Sequence, residues 1–184
     1  SVAMPGPFFV RFTAGASDAT APTLKGTCGT GGTEACSVPL AGSTAVLRNT
    51  PEFTVTVSEA LDPASLTVGT TAGLYIDADS SSTKNGAEVI LGASALTLTF
   101  DAVARRIVLG SKAQLAASTR YCFFLLGDDS GMNTGVKDTT GLELATTSQN
   151  KCFTTGNESD ATAPALSFVD ADNFKVVAKF SEAL

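Results

Sequence analysis

Cys28, Cys36, Cys122 and Cys152 are the residues of this chain best equipped for chemistry, and the chain has no histidine. A nucleophilic thiol wants a histidine base, so covalent catalysis by cysteine lacks its partner. The Ser-His-Asp arrangement is ruled out on the same ground. A zinc site built from all four cysteines would favour close Cys-x-x-Cys pairs, and there are none. What remains is oxidation, for which four cysteines allow three pairings. Paired cysteines imply an oxidising compartment, so the chain is expected outside the cell or on its surface.

Carboxylates form the second set. Asp77-Ala78-Asp79-Ser80 and Asp128-Asp129-Ser130-Gly131 place oxygens close together, as calcium requires. Neither stretch has the central Gly and distal Glu of an EF-hand, and Asp and Ser are ordinary turn formers. Both are read as solvated turns, with Asp77, Asp79, Asp128 and Asp129 the alternative calcium ligands. No cofactor is expected, and thermal melts with and without calcium should nearly coincide. A glycosidase pair of carboxylates would need cleft-lining aromatics, and none are in sight. The chain is therefore expected not to be an enzyme. Asn157-Glu158-Ser159 fits the pattern of a glycosylation acceptor, a match that chance also supplies.

Those residues need a scaffold, and composition says which kind. Apolar residues make up 43% and charged residues 16%, enough for a core and too apolar for a disordered tail. Small residues dominate the remainder and long helix-forming runs are missing, which favours strands. A net charge of −6 argues against a nucleic-acid partner. No apolar stretch approaches the ~18 residues of a membrane helix, so no membrane insertion is expected in this segment. Ser1–Val10 lacks the basic-then-apolar order of a signal peptide.

Phe53, Val55 and Val57 alternate with Glu52, Thr54 and Thr56, the period of a strand with one buried face. Further short strands are read at Thr23–Gly26, Ala45–Leu47, Gly73–Asp77, Ala87–Leu91, Leu96–Phe100, Arg106–Leu109, Arg120–Leu126 and Lys151–Thr155. Asp62-Pro63 makes a turn, and at most a single helical turn is expected, near Asp62–Leu66 or Ala113–Ala117. Residues 26–39 form a Gly/Thr-rich excursion, and residues 79–86 a hairpin tip.

Two phrases recur. Asp-Ala-Thr-Ala-Pro begins at Asp18 and again at Asp160, 142 positions later (160 minus 18). Ser-Glu-Ala-Leu begins at Ser58 and again at Ser181, 123 positions later (181 minus 58). The first copy therefore holds about 19 additional residues between the two phrases, a stretch that includes Cys28 and Cys36. A period this long is that of a whole domain.

Five pieces stand in order: Asp-x-Thr-Ala-Pro at 18–22, Ser-Glu-Ala-Leu-Asp-Pro-Ala-Ser-Leu from Ser58 to Leu66, the run from Leu115 to Tyr121, Val136-Lys-Asp-Thr-Thr-Gly141, and Phe153-Thr-Thr. This order resembles the bacterial Ig-like domain of S-layer type. The chain departs from the pattern at Leu142, where that family usually has Asn, and in its cysteine-bearing excursion. The resemblance implies an all-β, Ig-like antiparallel β-sandwich. Residues 1–17 would be the last strand of a preceding repeat plus linker, 18–156 a complete domain, and 157–184 a linker and the first strands of a following repeat. It also implies that the strands of Cys122 and Cys152 are antiparallel neighbours. With Tyr121, Phe123 and Phe153 inward, both cysteines face outward at bridging distance, and Cys28 pairs with Cys36. Tyr121 is either a corner tyrosine bonded to backbone or a core aromatic with a polar tip. The function implied is a spacer or assembly unit of a tandem surface array, possibly a fibre, whose partners are neighbouring repeats or copies of itself. The alternative is an adhesin or carbohydrate-binding module that contacts surface glycans through loops 26–39 and 79–86. Phe12 and Phe180 are expected to find ladder partners outside residues 18–156.

Overall fold

The computed structural model describes residues 18–25, 27–28, 34–35, 37–49, 52–86, 88–128, 134–161, 165–171 and 176–180. In chain order its strands are β1 (Thr27–Cys28), β2 (Glu34–Ala35), β3 (Ser37–Val38), β4 (Glu52–Thr56), β5 (Ala72–Ile76) and β6 (Val89–Ile90), followed by β7 (Leu96–Asp101), β8 (Arg106–Ser111), β9 (Arg120–Leu125), β10 (Ser148–Thr154), β11 (Leu166–Ala171) and β12 (Val176–Phe180). Among the described residues the helical content is one 3-10 turn, Pro63–Ser65, capped by the Asp62 carboxylate accepting from Ala64 N at 2.9 Å.

Period-two alternation decides the layers. In β4, Phe53 and Val55 are buried; in β8, Ile107 and Leu109; each lies between more exposed neighbours. Those strands belong to an antiparallel sheet of order β3-β4-β8-β7, in which Phe53 stands opposite Leu109 and Val55 opposite Ile107. The facing antiparallel sheet has the order β10-β9-β5-β6 and contributes Leu74, Tyr121, Phe123, Leu125 and Phe153. Phe53 of one sheet stacks on Phe153 of the other at 5.1 Å between ring centroids, and Phe153 on Tyr121 at 5.8 Å. Each such aromatic, fully buried, contributes roughly 1.5–3 kcal/mol of transfer free energy. The chain is thus an all-β antiparallel sandwich.

Two segments read as strands shrink to single bridges. Leu24 pairs with Val57, and Val46 pairs in parallel with Thr155. The second is cut short because Ala45 sits at φ 56°, a left-handed conformation that ends extended backbone. Even so, residues 42–46 line the open side of β10. Gly42 N donates to Cys152 O, Thr154 N to Ser43 O, and Val46 N to Thr154 O. An otherwise bare edge is thereby covered. Glycine is required at Gly127, where an added Cβ would stand 2.3 Å from the Thr146 carbonyl carbon.

β11 and β12 form a separate two-stranded sheet, with Leu166 opposite Phe180 and Ala171 opposite Val176. Phe12, the other end residue singled out from sequence, lies outside the described residues.

Candidate functional site

Cys122 and Cys152 stand directly opposite each other on β9 and β10 and are joined by a disulfide, with Cα atoms 4.0 Å apart. The side chain of Cys28 and the whole of Cys36 lie outside the described residues. Cys122 and Cys152 lie on the outward face expected of them, but that face is not exposed. Both sit on the sheet face away from the main core, yet they are 0% and 4% exposed. They form a small second core with Tyr75 and Phe124. On the side of β10 Gly42 N donates to Cys152 O, and part of the cover comes from the connection between β5 and β6, which holds the stretch read from sequence as a hairpin tip. Lys84 of that loop lies over the Phe124 ring, 5.4 Å from its centroid.

Arg120 fastens this cover. Its guanidinium donates to Ser80 O at 3.1 Å and to Ser82 Oγ at 2.6 Å, and pairs with Asp77 Oδ2 at 3.3 Å. Asp77 is buried and accepts in addition from Ser82 N at 3.2 Å. Its Oδ2 also lies 3.4 Å from Cys122 Sγ. That is a packing contact, since a disulfide sulfur carries no hydrogen. Asp79 is held below the usual carboxylate range chiefly by the Ser81 backbone N–H, 2.9 Å from its Oδ1. Glu88 is raised by burial and by the charges of Asp77 and Asp79. Burial, with Asp77 second, pushes the Tyr75 phenol well above its ordinary range.

The structure therefore brings Asp77 and Asp79 together, adding Glu88, with carboxylate oxygens within 4.8 Å of one another. Asp77 already holds Arg120 as its counter-charge. Asp128 belongs to no such group among the described residues, and Asp129 lies outside them. Asp128 instead donates its backbone N–H to Leu144 O.

A second acidic group has no signature in the sequence. Asp18, Glu59 and Asp138 also offer carboxylate oxygens within 4.8 Å of one another. Each belongs to one of the phrases on which the family resemblance rests, but the phrases lie far apart in the chain and nothing local joins their acids. Three turns deliver them. Asp18 precedes the Leu24 bridge and bonds Thr20 N through Oδ1. Glu59 follows β4, where Ser58 N donates to Thr23 O at 2.9 Å. Asp138 sits where Leu61 bridges to it. Asp138 is 2% exposed, and its Oδ1 accepts from Thr140 N, Thr140 Oγ1 and Leu142 N at 2.7, 2.9 and 2.9 Å. Its Oδ2 is buried and accepts nothing from the described residues. Burial alone would raise the Asp138 pKa, but the donors from Thr140 and Leu142 prevail and hold it low. Glu59 is raised, first by burial and then by the charges of Asp18 and Asp138.

Tyr121 resolves the two readings offered for it in favour of both together. Its ring packs in the core, and its hydroxyl accepts from Ala116 N at 3.0 Å. Among the described residues no helix is long and apolar enough to cross a membrane.

Comparison with known proteins adds little to this geometry. No protein-family model matches the chain, and no curated protein does. Among solved structures, "surface layer protein SbsC, domains 1-6" is similar at 15% identity and a TM-score of 0.44, covering 88% of this chain and 18% of that one. The N-terminal part of the bacterial S-layer protein SbsC is similar at 14% identity and a TM-score of 0.42, covering 88% of this chain and 31% of that one. This chain thus spans less than a third of either structure's length. Likeness at this level carries no functional weight, and the function must be argued from the chain's own residues.

Proposed function

We propose that this chain is a structural unit of a tandem array of Ig-like domains in a bacterial cell-surface or secreted protein, spacing or assembling rather than catalysing. The observation that carries this reading is the internal repeat. Residues 18–61 and 160–184 share two phrases in the same order, and β11 and β12 within the second copy pair with each other. Among the described residues this sheet has two strands, which alone are marginal in water, and edges that no described residue pairs invite further strands. Its natural partners are neighbouring repeats or further copies of this chain. The Cys122–Cys152 bridge supports an oxidising compartment, outside the cell or on its surface. The adhesin alternative draws less support, because Ser82 and Lys84 of the 79–86 loop are turned onto the chain's own structure.

Sedimentation across a concentration series tests the reading, together with binding to a panel of surface glycans. Self-association that grows with concentration, with no glycan retained, is the expected result. A chain that stays monomeric and retains a glycan would make it a recognition module instead.

A further inference from the structure

We propose that Asp18, Glu59 and Asp138 form a calcium site at the end of the sandwich where the chain enters its first bridge. Oxygens bound to one calcium lie about 2.3–2.6 Å from it and so no more than about 5.2 Å apart. One carboxylate oxygen from each of the three lies within 4.8 Å of the others, which meets that condition.

Three further observations point to a cation. The buried Asp138 Oδ2 has no hydrogen-bond partner among the described residues, although three donors saturate Oδ1 of the same carboxylate. A buried acceptor left in that condition is costly, and a cation relieves it. Secondly, no basic side chain forms an ion pair with any of the three acids among the described residues, unlike Asp77, which has Arg120. Three carboxylates converging without a counter-charge repel one another. Thirdly, the repeat regenerates the arrangement in sequence. Asp160 occupies the place of Asp18, and Glu182 the place of Glu59. Sequence alone points to no strong metal site and offers calcium only acids adjacent in the chain. These three are far apart in sequence and meet through the fold.

Bound there, the ion would tie the segment leading into the domain to the turn after β4 and to the Asp138–Leu142 turn. The inference is independent of whether the chain assembles.

Thermal melts and calorimetric titration of the whole chain, stripped with chelator and then supplied with calcium chloride, test it. The midpoint is expected to rise by about 5–11 °C when free calcium exceeds its Kd a hundredfold, with one ion bound per chain. E59Q and D138N should each lose that response, while D79N responds as the wild type. Should D138N fail to fold, because Asp138 also organises its own turn, E59Q decides alone. No rise in the wild type overturns the proposal. So does a rise that survives in E59Q, or one that D79N abolishes, which would move the ion to the Asp77 group.

Discussion

Single polar atoms set much of what this sandwich can tolerate. The Tyr121 hydroxyl accepts the Ala116 N–H at 3.0 Å in a partly buried corner. Removing it in Y121F leaves that N–H unanswered and should cost about 1 kcal/mol, lowering the melting midpoint by about 2–4 °C. Glu59 gives a pH test with a definite sign. Its folded pKa is raised above the usual 4.5, first by burial and then by Asp18 and Asp138. Such a group contributes its stability fully below pH 4.5 and loses it as pH rises through the folded value. Without calcium, E59Q should therefore gain on the wild type in melting midpoint as pH rises above 4.5. Asp138 runs the other way. Its folded pKa lies below the usual 3.8, so its contribution is present above that value and lost as pH falls.

At the scale of elements, β9 is the strand on which most depends. All of Tyr121–Leu125 is buried, one face in the main core and the other beneath the β5–β6 loop. The disulfide that joins it to β10 closes a loop of 30 residues. By the chain-entropy account this contributes about 3.5 kcal/mol, so the double variant C122A/C152A should melt about 7–14 °C lower. A fall no larger than that of the single-atom changes would mean the bridge is incidental to stability. The inner faces are legible in the sequence because alternation is local: Phe53 and Val55 announce which way β4 points. The second core is not legible. Cys122 and Phe124 carry the same alternation as an outward face, and nothing adjacent to Lys84 or Arg120 in sequence says that a loop folds back over them.

For the molecule as a whole, the repeat makes the organisation readable and leaves the acid triad hidden. A duplicated phrase is visible to anyone comparing two stretches of text. The convergence of Asp18, Glu59 and Asp138 exists only once the Leu24–Val57 and Leu61–Asp138 bridges have closed. The same holds for the β10 edge, where residues 42–46 do the work of a strand while only Val46 pairs as one. Long-range pairings of this sort carry no local pattern, and so the sandwich is easier to foresee than what sits on its ends and outer face.

The covered disulfide turns the protein into a clock for its own local motion. A reducing thiolate must reach a sulfur to attack it, and here Cys122 is fully enclosed and Cys152 nearly so. Attack then waits for a local opening, such as the lifting of residues 77–84 from Arg120, far less demanding than unfolding. With rising dithiothreitol the reduction rate of this bridge should level off at the opening rate instead of climbing in proportion. R120A, which releases Ser80, Ser82 and Asp77 at once, should raise that plateau. A rate that stays proportional to reductant throughout would mean that the lid never governs access.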